Sequence, residues 1–202
     1  PHNGELQFYT PRPENILVSD GTLKLIARHE TYTGQGPYMS EPVTRNYTSG
    51  KVETQGRITF QYGKFEARMK IPRGKGTWPA FWMLGENLFD ANVGWPKCGE
   101  IDIMEHGQDF DNLGAAIHTE KYNHTIGTQL TGTYIIDDYD TDFHVYGFEW
   151  TEDKLEFYVD NDYYFTVTKE QLGDSEAAWP FDQPFWIILN HAVGGAWGGT
   201  PD

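Results

Sequence analysis

Positively charged groups and cysteine are scarce in this sequence. Fifteen lysine and arginine residues stand against thirty aspartate and glutamate residues, and the formal net charge at pH 7 is −15. A surface this acidic repels polyphosphates and anionic lipids, which argues against nucleic acid and against an anionic membrane as partners. Cys98 is the single cysteine, so the chain cannot form an intrachain disulfide framework.

Long apolar runs are also missing. No stretch reaches the roughly 20 apolar residues that a membrane-spanning helix needs, so we expect no membrane insertion. The printed sequence contains no signal peptide, and an export signal is expected either to have been removed or to lie outside these 202 residues. The length is enough for a sizeable core, and we expect one monomeric domain over 1–202.

The abundant residues favour β-structure. The chain contains 22 glycines, 11 prolines and 15% aromatic residues. Turn signals recur about every ten residues between short segments, the pattern of an all-β sandwich. Residues 31–46 are polar and rich in glycine and proline, which predicts a loop, and 169–172 predict one helical turn. The predicted strands cover 5–9, 16–19, 22–28, 51–54, 57–61, 63–71, 78–84, 99–107, 114–120, 128–135, 143–151, 154–159, 163–168 and 185–192.

The stretch 99–107 reads G-E-I-D-I-M-E-H-G and holds three carboxylates. On a strand, Glu100 and Asp102 share one face, and the isoleucines between them point into a core. Strict alternation would bury Glu105, and an unpaired buried carboxylate is costly. One extra residue bulged out at 103–104 would return Glu105 to the acidic face. The sequence therefore predicts a bulged strand with three acids on one side.

Three acids crowded without interleaved cations suggest acid–base chemistry. The strand spacing allows the carboxyls of Glu100 and Glu105 to come within roughly 5–10 Å. That range covers glycosidases of both stereochemistries, about 5–5.5 Å for retaining and about 6.5–9.5 Å for inverting enzymes. A solvated acidic face is the simpler interpretation, and a calcium site is a third, although calcium usually takes its acids from a loop.

Four tryptophans are further candidates for a binding site. In T-W-P-A-F-W-M-L at 77–84, alternation places Trp78 and Trp82 on one face, which is either a stacking platform or part of a strand buried on both sides. Trp95 precedes the acidic strand by five residues. Trp197 is framed by glycines in G-G-A-W-G-G, as either a ligand contact or a lid packed on its own domain. Indole faces are suited to stacking on sugar rings.

Four polar residues are further candidates. Glu66 and Arg68 share the polar face of one predicted strand, where a solvated ion pair is the alternative to a binding role. His118 is either a site residue or a satisfied core histidine. Asn190 ends an apolar strand, and a buried amide there must find hydrogen-bond partners.

Together these motifs resemble the family 16 glycoside hydrolases, and among them the laminarinase-like endo-β-1,3-glucanases. The resemblance spans essentially the whole chain. It implies a β-jelly-roll sandwich of two antiparallel sheets with a concave substrate cleft, and retention of configuration at the anomeric carbon. The matching motifs are G-E-I-D-I-M-E at 99–105, T-W-P-A-F-W-M-L at 77–84, Y-G-K-F-E-A-R at 62–68, Y-T-S-G-K at 47–51, D-F-H-V-Y-G-F-E-W at 142–150 and I-L-N-H-A-V-G-G at 188–195.

The resemblance also implies residue roles. Glu100 corresponds to the nucleophile and Glu105 to the acid/base, with Asp102 between them and hydrogen-bonded to Glu100. Three acids in a cleft cannot all ionise cheaply, so we expect the pKa of one, the proton donor Glu105, to rise. Substrate contacts are expected from Trp78, Trp82 and Trp95 as aromatic walls, from Trp197 over the cleft, and from Glu66, Arg68, His118, Asn190 and Asn3, the last in H-N-G-E where the family has N-N-E.

The implied function is endo-acting hydrolysis of a laminarin-type β-1,3-glucan by a secreted enzyme. A mixed-linkage β-glucanase or marine galactanase of the same family, and a non-catalytic β-glucan-binding protein, are the alternatives. The tryptophan-rich pattern and the lack of a basic sulfate-binding cluster favour a neutral glucan. The presence of all three acids favours an enzyme.

The ends of the sequence depart from the family pattern. Relatives usually begin with a W-S-D-E-F strand and close with a D-Y-V-R-V-Y strand, and neither is present in 1–202. Either these strands lie outside this stretch or the chain is a fragment or a rearrangement. The family's structural calcium is bound by the backbone near Gly21 and by groups from both end strands. We therefore expect no complete calcium site here, and no cofactor for catalysis.

Overall fold

A computed structural model describes residues 3–36, 39–107 and 112–201. Fifteen strands and two short α-helices form within these ranges. The strands are β1 (Gln7–Tyr9), β2 (Ile16–Ser19), β3 (Thr22–Leu25), β4 (Arg28–Gly34), β5 (Val43–Ser49), β6 (Lys51–Glu53), β7 (Gly63–Met69), β8 (Thr77–Gly85), β9 (Glu100–Glu105), β10 (Asn112–His118), β11 (Leu130–Ile135), β12 (His144–Trp150), β13 (Lys154–Val159), β14 (Asp162–Thr168) and β15 (Phe185–Val193). The helices are α1 (Lys169–Leu172) and α2 (Gly195–Gly198).

Two antiparallel sheets enclose the main core. A six-stranded sheet has the order β11-β10-β9-β8-β15-β6, and a four-stranded sheet has the order β14-β13-β12-β7. Apolar side chains from both sheets meet between them, among them Phe81, Ile101, Phe148 and Phe157. Burial of these aromatic and branched side chains is the main force that holds the layers together. The predicted β-jelly-roll sandwich is confirmed.

Two smaller sheets accompany the sandwich. β4 and β1 flank β5, with β1 parallel and β4 antiparallel to it. β2 and β3 form a separate hairpin. Its turn, Asp20-Gly21, has positive φ at both residues (53° and 74°), as the predicted two-residue turn requires.

The acidic strand carries the predicted bulge. Met104 lies opposite Phe81, while the next paired position, Trp82, lies opposite Asp102. Ile103 is therefore the extra residue, and the register on the β10 side shifts at the same place. Ile103 and Met104 are both buried in the core, and this leaves Glu105 on the same face as Asp102.

Two sequence predictions of local structure are wrong. Residues 31–46 were expected to form a loop, but half of them, 31–34 and 43–46, belong to β4 and β5; residues 37 and 38 lie outside the described ranges. Exposed and half-buried positions alternate in β4 without a fully buried residue, so no hydrophobic period marks it as a strand. Residues 57–61 were expected to form a strand, but only Phe60 pairs, with Phe185.

Helical structure is limited. The predicted helical turn is confirmed as α1, and Thr168 and Gln171 form a capping box at its start. Within the described ranges, no helix has the length and apolar character needed to cross a membrane.

Candidate active site

The bulged strand β9 places its three carboxylates on the face of the large sheet that points away from the core. Each acid has a neighbour on β8 and another on β10. The resulting rows across the sheet are Leu84–Glu100–His118, Trp82–Asp102–Ala116 and Ala80–Glu105–Gly114. Asn190 on β15 extends the third row, because it pairs with Ala80. Most of the predicted site residues thus meet on one surface.

Glu105 accepts a hydrogen bond from a tryptophan that packs against a second tryptophan. Trp78 Nε1–H donates to Glu105 Oε1 at 2.9 Å. Trp197 packs edge-on against Trp78 with ring centroids 5.9 Å apart. Burial, followed by the charge of Asp102, raises the pKa of Glu105 to about 8, although the Trp78 hydrogen bond acts in the opposite direction. Glu105 is therefore protonated near neutral pH and can donate a proton.

Glu100 has a different set of partners. Trp95 Nε1–H donates to Glu100 Oε2 at 3.1 Å, and His118 Nε2 lies 3.7 Å from Oε1. Burial and the nearby charge of Asp102 raise the pKa of Glu100 well above its ordinary value. The Trp95 hydrogen bond and the neighbouring His118 favour the charged form and partly offset this rise.

Asp102 is the most enclosed of the three acids, with 3% of its side chain exposed. His118 Nε2 lies 3.3 Å from its Oδ2, and burial raises the pKa of Asp102 to about 8. The expected hydrogen bond to Glu100 is wrong: none joins these two side chains in the described structure. Their backbones are about 7 Å apart along the strand, and His118 contacts both carboxylates instead.

The same three side chains are the group most suited to hold a metal. Glu100, Asp102 and His118 can present one ligand atom each, all within 4.8 Å of one another. A metal would need both carboxylates deprotonated, whereas burial raises the pKa of each. Burial therefore weakens metal binding by this cluster.

Trp82 and Asn190 form a second polar contact on this face. Trp82 Nε1–H donates to Asn190 Oδ1 at 2.6 Å, and Asn190 Nδ2 donates to the hydroxyl of Tyr9 at 3.0 Å. Tyr9 was not among the predicted site residues. It lies 181 positions from Asn190 in the chain, and no local motif marks it.

A second residue that sequence reasoning missed is His124. Its ring centroid lies 5.0 Å from that of Trp95 and 5.1 Å from that of His118, next to Glu100. The buried side chain of Asn123 fixes this position, because its amide donates to Thr119 O and its oxygen accepts from Thr125. Asn123 is therefore a structural cap. The sequence Asn123-His124-Thr125 contains no feature that would have marked His124 as a site residue.

Glu66 and Arg68 do not reach the carboxylates, and their predicted role is corrected. Both lie on β7 of the four-stranded sheet, whose alternate residues pack into the core. Their side chains consequently point outward on the opposite surface of the sandwich. There Glu66 accepts from Tyr158 at 2.8 Å, and Arg68 stacks over Phe143 at 4.7 Å. Alternation gave their shared face but not the sheet.

The glycine-framed Trp197 lies on α2 and packs on its own domain, one of the two interpretations that the sequence allowed. A substrate contact stays a prediction. The Trp197 ring contacts Trp78, the hydrogen-bond donor to Glu105. The backbone of Gly107 lies so close to this segment that a Cβ there would come within 2.7 Å of Trp197 O. Glycine at 107 therefore allows α2 to pack here. Asn3 contributes through its backbone, because its carbonyl accepts from Ala196 N at 2.9 Å.

Gly21, the residue expected near a calcium ion, lies in the turn between β2 and β3. Its neighbouring carboxylate, Asp20, pairs with Lys24 Nζ at 3.2 Å. Calcium takes six to eight oxygen ligands, and the expectation of no complete calcium site here stays a prediction.

Two glutamates, each hydrogen-bonded to a tryptophan, lie on one face of an antiparallel sandwich. Paired carboxylates are the catalytic groups of glycoside hydrolases. The profile of the glycosyl hydrolases family 16 matches residues 7–202. The chain belongs to this family.

Relatives cover nearly all of the chain. A β-glucanase of Rhodothermus marinus is 46% identical over 98% of this chain and 67% of its own length. The glucan endo-1,3-β-glucosidase A1 of Niallia circulans is 35% identical, over 99% of this chain and 30% of its own length. The chain thus spans about two thirds of the first and under a third of the second.

Solved structures give the same result. The laminarinase of R. marinus superposes with a TM-score of 0.89 at 43% identity, covering 99% of this chain and 78% of that one. The endo-β-1,3-glucanase of Pyrococcus furiosus gives a TM-score of 0.87 at 43% identity, covering 99% of this chain and 74% of the other.

Proposed function

We propose that this protein is an endo-acting glycoside hydrolase that cleaves β-1,3-glucan by double displacement. The observation that carries the proposal is the placement of Glu100 and Glu105 on one face of β9, each bonded to a different tryptophan. The similarity to a laminarinase and an endo-β-1,3-glucanase supports this substrate.

In the first step, Glu105 donates its proton to the glycosidic oxygen while the Glu100 carboxylate attacks the anomeric carbon. The bond from that carbon to the leaving oxygen breaks, and a glycosyl ester on Glu100 forms. The raised pKa of Glu105 supports the role of acid, because the proton is still bound near neutral pH. Trp95 supports a charged Glu100 through its hydrogen bond.

In the second step, water attacks the anomeric carbon of the ester and Glu105 accepts its proton. The carbon–oxygen bond to Glu100 breaks, and the sugar leaves with its original configuration. Asp102 and His118 hold the centre of the cluster, since His118 lies within 4 Å of both Glu100 and Asp102. Trp82 and Trp197 would stack on sugar rings to either side.

Reducing-sugar release from laminarin, lichenan, agarose and carrageenan tests the substrate. We expect rapid release of mixed oligosaccharides from laminarin, less from lichenan and none from the galactans. Release from a galactan but not from laminarin would contradict the proposal. Binding of laminarin without release from any polymer would favour a β-glucan-binding protein, and Glu105→Gln is the matched inactive control.

We also propose that the enzyme acts outside the cell and needs no metal for catalysis. A glucan polymer is too large to cross a membrane, and the chemistry above uses only side chains of this chain. Dialysis against EDTA should leave laminarin hydrolysis unchanged, and fractionation of the producing culture should place the activity in the medium. Loss of activity that added calcium restores would contradict the metal-free mechanism.

A further inference from the structure

A chain of hydrogen bonds connects the N-terminal strand β1 to the cleft. Trp82 Nε1–H donates to Asn190 Oδ1 at 2.6 Å, and Asn190 Nδ2 donates to the Tyr9 hydroxyl at 3.0 Å. Tyr9 lies on β1, which pairs with β5. One indole of the cleft is thus linked to the N-terminal strand.

The direction of these bonds is fixed by the Trp82 indole. Its N–H can only donate, so it faces the oxygen of the Asn190 amide and turns Nδ2 toward the Tyr9 oxygen. Gln7 helps to hold β1, the strand that carries Tyr9, beside β15: Gln7 Oε1 accepts from Val193 N at 2.7 Å, and Gln7 Nε2 donates to Glu5 Oε2 at 2.6 Å. The Tyr9 oxygen is thereby placed as the acceptor for Asn190.

The orientation of Asn190 matters because a primary amide has a donor end and an acceptor end of nearly equal size. With Nδ2 bonded to Tyr9, Oδ1 faces the indole of Trp82. In the flipped amide, Nδ2 would face Trp82 Nε1–H, and two donors would point at each other. Trp82 could not then keep its hydrogen bond and its present position together.

We propose that Tyr9 is a positioning residue for substrate binding: through Asn190 it holds the Trp82 indole as a stacking surface for a glucosyl unit. The inference rests on the proposed glucan hydrolysis. Tyr9 touches neither the reacting carbon nor the carboxylates of β9, so its loss weakens binding and leaves the chemical step nearly unchanged. Burial, followed by the charge of Glu5, raises the pKa of the Tyr9 hydroxyl well above its ordinary value.

A double-mutant cycle tests the inference. KM and kcat on laminarin are measured for wild type, Tyr9→Phe, Trp82→Phe and the double variant. Loss of one net hydrogen bond corresponds to about fivefold, so Tyr9→Phe should raise KM about fivefold and change kcat less than twofold. In the Trp82→Phe background, Tyr9→Phe should have no further effect on KM.

Tyr158→Phe is the matched control, because the Tyr158 hydroxyl is also hydrogen-bonded, to Glu66, but on the opposite sheet. Its KM should equal that of wild type. Equal KM increases from Tyr9→Phe in both backgrounds, or the same increase in the control, would overturn the inference.

Thermal unfolding of each variant shows whether it is folded. If Tyr9→Phe does not fold, Asn190→Leu removes the same link from its other end; a KM raised at least about fivefold supports the inference, and an unchanged KM contradicts it. If wild type does not cleave laminarin, the proposed substrate fails on its own. The cycle is then measured on the polymer that is cleaved, or as dissociation constants for laminarin oligosaccharides if none is.

Discussion

The indole of Trp78 donates a 2.9 Å hydrogen bond to Glu105, the acid whose pKa burial raises to about 8. The bond stabilises the charged carboxylate, so it restrains a rise that burial would otherwise carry further. Trp78 thereby sets the upper pH at which Glu105 still holds its proton.

Replacing Trp78 with phenylalanine should move the alkaline limb of the activity profile upward. The charged form of Glu105 loses its donor, the pKa rises, and the protonated acid persists to higher pH. We expect kcat/KM, measured from pH 5 to 10, to fall at a higher pH than in wild type, with a lower maximum. Trp179→Phe, which removes an indole donor to the backbone of Glu152 elsewhere, should leave the limb in place. A downward shift in Trp78→Phe would contradict the assignment.

Stability should depend on pH through the same carboxylate. The folded pKa of Glu105, about 8, lies above its ordinary value of 4.5, so the folded state binds a proton that the unfolded state has lost between these values. The stabilisation of the folded state by the proton on Glu105 is fully present below about pH 4.5 and is lost as pH rises through about 8.

Glu105→Gln should therefore unfold at higher urea than wild type at pH 8.5, by a free energy on the order of a few kcal/mol. The advantage should disappear near pH 4.5. The exposed Glu14→Gln serves as the control and should follow wild type at both pH values. Equal stability of Glu105→Gln and wild type at pH 8.5 would show that the carboxylate is ionised there without cost.

The roles of the two glutamates can be separated with azide. Glu100→Ala and Glu105→Ala should each lose activity by at least about a thousandfold. With an activated glucan substrate, azide should restore Glu105→Ala with a β-glycosyl azide product, because the ester on Glu100 still forms. Glu100→Ala should give the α-azide. Proton NMR of the anomeric centre distinguishes the two, and the opposite pattern would exchange the roles.

Gly107 and Gly114 form a matched pair for the contact with Trp197. A Cβ at Gly107 would come within 2.8 Å of the Trp197 ring, whereas one at Gly114 would lie 3.5 Å from it. Gly107→Ala should displace Trp197 and raise KM for laminarin several-fold, while Gly114→Ala should change KM little. Equal KM values for the two variants would show that Trp197 does not contribute to binding.

The bulge in the catalytic strand could be predicted because the regular strand without it would bury an unpaired glutamate at a high cost in free energy. A glutamate out of phase must either be buried alone or be returned to the surface by a bulge, and the structure has the bulge at Ile103. The tryptophans beside it were found because alternation assigns a face. Alternation does not assign a sheet, and for that reason Glu66 and Arg68 were placed on the wrong side of the sandwich.

Other parts of the site depend on contacts that no local pattern contains. Tyr9 joins Asn190 across 181 positions, and His124 reaches Glu100's neighbours only because Asn123 fixes a short 3₁₀ turn. β4 and β5 escaped notice for a different reason. Most of their half-buried positions carry polar, aromatic or glycine residues, so hydrophobic periodicity is weak although the strands pair. These positions are Glu30, Tyr32, Gly34, Val43, Arg45 and Tyr47.

Two hydrogen bonds, from Ala196 N to Asn3 O and from Val193 N to Gln7 Oε1, bring the beginning of the described chain against its end. During synthesis, the N-terminal residues on this side of the cleft can therefore reach their native contacts only after residues about 190 positions later have been made. Contacts of such long range form slowly. Enzymatic activity should be among the last properties to return on refolding, after the tryptophan-rich core has already become compact.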